Sequence, residues 1–126
     1  MPFVRTAVRR GTDVSQKQLI VESIHNALVQ AIGMPEDELF NLVSEYNASD
    51  FLYSRTFNGV ARSDHLVVVE ITMRRGRSDA MKKALYAEIA ANLEKRQRYP
   101  QRGDVQVAGV TYWREAGHVV PLGRAA

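Results

Sequence analysis

Pro2, directly behind Met1, is the residue of this chain best suited to unusual chemistry. With Met1 removed it would present a secondary amine, and its ring fixes φ so that a strand could hold the nitrogen at one place in a pocket. An α-amino group titrates near ~8 in water, and both burial and nearby arginines disfavour its charged form, so such a nitrogen could be a neutral base near pH 7. Met-Pro is also an ordinary way for a chain to start. Arginine outnumbers lysine thirteen to four, and its guanidinium suits bidentate capture of carboxylate or phosphate. Two loops carry paired arginines, Arg9-Arg10-Gly11-Thr12-Asp13 and Arg74-Arg75-Gly76-Arg77-Ser78-Asp79, with their glycines 65 positions apart. The three histidines, His25, His65 and His118, share no metal-ligand spacing, and Gly76 stands outside any glycine-rich phosphate loop, so no metal and no cofactor is expected.

The elements around these loops repeat. Pro2 to Val8 alternates apolar and polar residues as a strand does. Asp13 and Gln16 read as a capping box for a helix in which Val14, Ile20, Val21, Ile24, Leu28, Ala31 and Ile32 recur at helical spacing. Gly33 and Pro35 stop it, and Leu39 to Tyr46 reads as the next strand. In the second half Leu66 to Met73 is rich in β-branched residues and reads as a buried strand. Ser78 caps a helix with Met81, Ala84, Leu85, Ile89 and Leu93 facing inward, ending before Tyr99-Pro100. Val105 to Thr111 completes the set. The expected fold class is α+β: two tandem βαβ units, 1–46 and 66–112, forming a four-stranded mixed sheet with two helices on one face. The aromatic connection 47–65, with Asn58-Gly59 at a hairpin bend, would pack at a subunit contact or near the pocket, and residues 113–126 would form a C-terminal tail. A sheet with helices on one face leaves its other face apolar and uncovered, which argues for burial against other subunits.

Length and composition fit one globular domain of 126 residues, with 45% apolar and 25% charged residues. The absence of cysteine leaves no disulfide or thiolate nucleophile. No apolar run reaches membrane-spanning length, so no membrane association is expected and a cytoplasmic location follows. The net charge of +3 is small for a nucleic-acid surface and no recognition module accompanies it, so no nucleic acid is expected.

Pro2 at the head of a strand, two βαβ units, Gly33-Met34-Pro35-Glu36-Asp37-Glu38 after the first helix, and Arg62-Ser63-Asp64 leading to Leu66–Met73 and Arg75-Gly76-Arg77-Ser78 together resemble the tautomerase superfamily. Within it they are most similar to the malonate semialdehyde decarboxylase-like double-βαβ group. The resemblance runs from Pro2 to about Val110. It implies a homotrimer, a small carboxylate substrate, no cofactor, and the amino-terminal proline as acid/base. By the family pattern the remaining catalytic positions fall on Glu38, where the family has aspartate, and on Arg75 and Arg77, which would bind the substrate carboxylate. The family's C-terminal Trp-Ser-Phe-Gly motif is absent. Trp113 lies three positions early, and His118 stands about where the phenylalanine would be; both are candidate substrate contacts. The expected activity is keto–enol tautomerisation of 2-keto or β-keto carboxylates, with decarboxylation or hydration as the alternative and a non-enzymatic trimeric binding protein as a third reading.

Overall fold

A computed structural model of the chain describes residues 2–59, 61–74, 76–97, 105–112 and 115–120, with Asn58, Arg96, Gln97 and residues from 105 onward described by backbone alone. Two βαβ runs account for most of it: β1 (Phe3–Arg9), α1 (Val14–Ile32) and β2 (Asn41–Tyr46), then β3 (Val67–Met73), α2 (Asp79–Gln97) and β4 (Val105–Tyr112). Each helix crosses between parallel strands, β1 with β2 and β3 with β4, as a helical crossover requires. The two units meet through antiparallel β1 and β3.

The sheet has five strands, not the four expected, in the order β2-β1-β3-β4-β5. Part of the expected C-terminal tail forms β5 (Glu115–Val120), antiparallel to β4. Pairing there occupies backbone groups that β4 would otherwise leave on an open edge. Both edges are then short strands, β2 and β5.

Strand alternation decides the core. Val4, Thr6 and Val8 of β1 and Val67, Val69, Ile71 and Met73 of β3 are buried under the helices. On α1 the buried positions are Ile20, Ser23, Ile24, Ala27 and Leu28, one stripe at 3.6-residue period. Val14, expected inward, is 67% exposed because it opens the helix beyond the sheet. On α2 the inward stripe is Lys82, Leu85, Tyr86, Ile89 and Leu93, whereas Met81 and Ala84 face out. Lys82 belongs to that stripe because its aliphatic stem can cover core while its ammonium reaches toward Asp79, 3.9 Å away. The helices are joined by Asn92, whose Nδ2 donates to the Ser23 carbonyl at 3.0 Å.

Caps follow the sequence in part. Ser78 Oγ accepts the Met81 amide at 3.2 Å and starts α2 as expected. Asp13 takes the extended N-cap conformation of α1 but makes no side-chain cap hydrogen bond, so the expected capping box is absent. At the other end Gly33 adopts φ 68°, and the amides of Gly33 and Met34 return to the carbonyls of Val29 and Leu28. That left-handed residue turns the chain back toward β2.

The connection between the units is not a hairpin. It contains two short 3-10 turns, Ala48–Asp50 and Phe57–Gly59. Phe51 stacks on Tyr46 with centroids 5.9 Å apart and meets Tyr53 edge-on at 5.5 Å. Arg55 and Arg9 both bind the Asp64 carboxylate, at 2.6 and 2.9 Å. These contacts lie at the end of the sheet where β1 finishes, away from Pro2, so the expectation that the aromatics approach the Pro2 pocket does not hold within the protomer. The sheet face opposite the helices is also less uniform than expected. Phe3, Ala7 and Val68 are half-buried there, but exposed Arg5 and Glu70 sit opposite each other in register. Among the described residues no helix is long and apolar enough to cross a membrane.

Candidate active site

Antiparallel pairing of β1 with β3 sets which loops meet. Phe3 pairs with Thr72, so β1 begins where β3 ends, and Tyr112 of β4 lies beside Met73 at the same end. The parallel register of Val4 with Asn41 brings the start of β2 there too. Pro2, the segment before β2, and the β3–α2 loop therefore share one end of the sheet, although 70 or so residues of sequence separate the first from the last.

Pro2 is buried and lines a crevice together with Val4, Ile24, His25, Met34, Glu38 and Asn41. Glu38 is half-buried. Three hydrogen bonds hold the walls. The Val4 amide donates to the Phe40 carbonyl at 2.9 Å, the Glu38 amide to the Pro35 carbonyl at 3.1 Å, and the Thr6 hydroxyl to Asn41 Oδ1 at 2.9 Å. Free space inside is close to that of one water molecule. Leu39 and Phe40, 52% and 46% exposed, are the part of the lining with room to yield to something larger.

Of the residues singled out in the sequence, the crevice brings together Pro2 and Glu38. Arg77 is half-buried on the β3–α2 loop, where Nη1 donates to the Arg74 carbonyl at 3.4 Å, and Arg74 itself is exposed. Gly76 takes φ 112°, a conformation that favours glycine in this tight loop. Arg75 and Trp113 lie outside the described residues. His118 lies on β5, next to the Val119 that pairs with Thr111, so it belongs to a strand of the sheet and not to a tail outside it. Sequence reasoning gave His25 no role in the site. Its available signal was position: it falls four residues after Val21 and three before Leu28, on the flank of the buried stripe.

A roomier cleft lies at the opposite end, between the β1–α1 loop and the start of β3, lined by Arg9, Arg10, Thr12, Gln16, Asp64 and His65. The Arg55 hydrogen bond, with the Arg9 charge beside it, holds the Asp64 carboxyl below the usual aspartate range. In the same way Lys17, bonded to Glu45 across α1 and β2, lowers the Glu45 carboxyl. Neither cleft wall carries a group resembling Pro2.

Two family models, each described as tautomerase enzyme, match residues 38–108 and residues 2–54. The chain belongs to the tautomerase family. Relatives of this tautomerase-family chain include the probable tautomerase YusQ of Bacillus subtilis (strain 168), 33% identical over 93 residues, which are 74% of this chain and 73% of the relative. The probable tautomerase YrdN of the same organism is 28% identical over 94 residues, 75% and 72% of the two chains. Among solved structures, malonate semialdehyde decarboxylase superposes with a TM-score of 0.81 at 22% identity, covering 98% of this chain and 92% of that one. A fused 4-OT symmetric trimer gives 0.67 at 20% identity, covering 94% and 85%. These likenesses carry the fold; the two Bacillus relatives carry the enzyme class.

Proposed function

We propose that this chain is a cofactor-independent tautomerase in which Pro2, freed by removal of Met1, moves a proton within a small 2-keto or β-keto carboxylate. The observation that carries this reading is that Pro2 and Glu38 line one crevice, at the end of the sheet from which the Arg77 loop emerges. With an enolised aryl pyruvate, the neutral Pro2 nitrogen takes the enol O–H proton, and the same nitrogen returns it to the adjacent carbon as the carbonyl forms. Between the two transfers the proline is a cation, and the Glu38 carboxylate stabilises it. Arg77, with Arg75, binds the substrate carboxylate and offsets the charge on the enolate oxygen. His118 and Trp113 are proposed as contacts with the remainder of the substrate. The narrowness of the crevice requires Leu39 and Phe40 to move aside or a neighbouring subunit to form part of the wall, and a homotrimer supplies such a neighbour.

The likeness in fold to malonate semialdehyde decarboxylase supports a second reading. There a protonated Pro2 polarises the aldehyde of a 3-oxo acid, carbon dioxide leaves from the carboxylate, and the resulting enolate takes a proton on carbon to give the shortened aldehyde. The charge on Pro2 at the working pH separates the two chemistries. Intact mass first establishes that Met1 is absent. Ketonisation of an enolised aryl pyruvate, followed by loss of enol absorbance, then reads the first activity. Pro2→Ala is expected to lower kcat by about 10²-fold or more, the scale of a lost general base. Unchanged turnover in Pro2→Ala, with Met1 shown to be removed, excludes the mechanism, and carbon dioxide release from malonate semialdehyde without ketonisation selects the second reading.

A further inference from the structure

The Pro2 crevice contains a polar side chain that the proton transfer above does not use. His25 lines it with Pro2 and Glu38, and His25 Nε2 lies 2.8 Å from the Glu36 carbonyl oxygen. A carbonyl oxygen only accepts, so Nε2 carries the hydrogen. In the neutral ring Nδ1 is then a bare acceptor, and that atom is shielded from solvent with no hydrogen-bond partner among the described residues. A buried polar atom left in this state costs about 1–3 kcal/mol. A leucine would fill the same space without that cost, so the ring is held there by what its other nitrogen does.

We infer that His25 is a positioning residue, tying the Glu36 carbonyl to α1 and thereby setting the Glu38 carboxylate beside Pro2. This rests on the Pro2 reading above. The segment between α1 and β2 is fixed at its ends by backbone bonds, Met34 to Leu28 and Val4 to Phe40. Between them, Pro35 to Glu38 forms a turn closed by its own Glu38 amide. Such a turn moves as a unit when nothing holds it, and Glu38 moves with it. The His25 bond joins the middle of that turn to the helix. Since α1 is anchored in the core through Ile24 and Leu28 on either side of His25, the tie transmits the rigidity of the core to the carboxylate.

A residue that works through Glu38 has no effect once the carboxylate is gone, which a double-mutant cycle reads directly. His25→Leu is expected to lower kcat by about 10- to 100-fold with a much smaller change in KM, the scale of a misplaced catalytic group. His25→Gln, whose amide can donate to the same carbonyl, is expected to restore most of the loss. In a Glu38→Gln background His25→Leu should change kcat by less than about twofold. Equal losses in both backgrounds, or His25→Gln no better than His25→Leu, would overturn the inference. Two measurements stand apart from turnover. Nitrogen NMR of the wild-type ring should show Nε2 protonated and Nδ1 bare, and amide exchange of residues 34–40 should speed up in His25→Leu. If His25→Leu does not fold, His25→Gln and the wild-type spectrum decide. The opposite tautomer, or unchanged exchange, overturns the tie even if no Pro2-dependent turnover is found, whereas absent turnover with the tie intact counts only against the proposed function.

Discussion

A nitrogen base, a carboxylate and a guanidinium do chemistry together only when backbone hydrogen bonds fix their separations. At Pro2 this comes from the Val4 amide held on the Phe40 carbonyl one residue into β1. At Glu38 it comes from the Pro35 turn and, in our inference, from His25. Arg77 differs, because its one described hydrogen bond, to the Arg74 carbonyl at 3.4 Å, is long and easily exchanged for a ligand oxygen. Its planar fork, rather than its charge alone, is what a carboxylate would use. Arg77→Ala is therefore expected to lower kcat/KM by about 10- to 100-fold, chiefly through KM, and Arg77→Lys to recover only part of it. Steady-state kinetics on an enolised aryl pyruvate check this. Equal activity of the Lys variant and the wild type would show that a point charge suffices.

At the scale of elements, the end of one helix and the buried face of the other matter most. Gly33 reverses the chain after α1 with φ 68°, and this reversal carries Glu36 back to His25. On α2 the stripe of Leu85, Ile89 and Leu93 is completed by Tyr86, which is 5% exposed with a hydroxyl that has no partner among the described residues. Burial, with a smaller contribution from Asp79, pushes its phenol up to about 12 from 10.0. Below pH 10 the ring is neutral whether the chain is folded or not. Between 10 and about 12 the unfolded chain ionises and the folded one does not, so stability falls as pH rises through that window. Tyr86→Phe is expected to remove this part of the alkaline loss and to leave stability at pH 7 unchanged or slightly higher. Urea unfolding midpoints at pH 7 and pH 11 for both proteins decide it. A large loss at pH 7 would mean that the hydroxyl is hydrogen-bonded after all.

For the whole molecule, the edge strand β2 is the most telling surface. Leu42 and Tyr46 on it, with Leu39 and Phe40 just before it, are all large, apolar or aromatic, and 41–52% exposed. An edge strand with such a stripe is an invitation to association. In the trimer proposed above, this edge is a natural contact, and it adjoins the crevice through Leu39 and Phe40. Sedimentation equilibrium is expected to return three times the 14.2 kDa of one chain. Leu42→Lys, on an exposed site outside the core, should shift the protein toward monomer while the folded spectrum persists. A monomeric wild type would remove the subunit wall from the proposed site.

Read alone, the sequence determined the order of the first four strands and the two helices, the Ser78 cap and the Gly33 stop, and through the family pattern it singled out Pro2 and Glu38, which the fold places on one crevice. Each depends on short-range stereochemistry or on an ordered set of motifs, both of which survive without coordinates. The fifth strand was not legible, because residues 115–120 form one only by pairing with β4, a choice made by a free edge and not by local propensity. The inward turn of Lys82 and Tyr86 likewise reflects how α2 sits against α1 and the sheet. His25 was given no role in the site because a lone histidine beside an apolar stripe signals only a boundary position in sequence. Only the fold brings the Glu36 carbonyl, eleven residues away, to 2.8 Å from its ring, since the reversal at Gly33 lays that segment back along the helix.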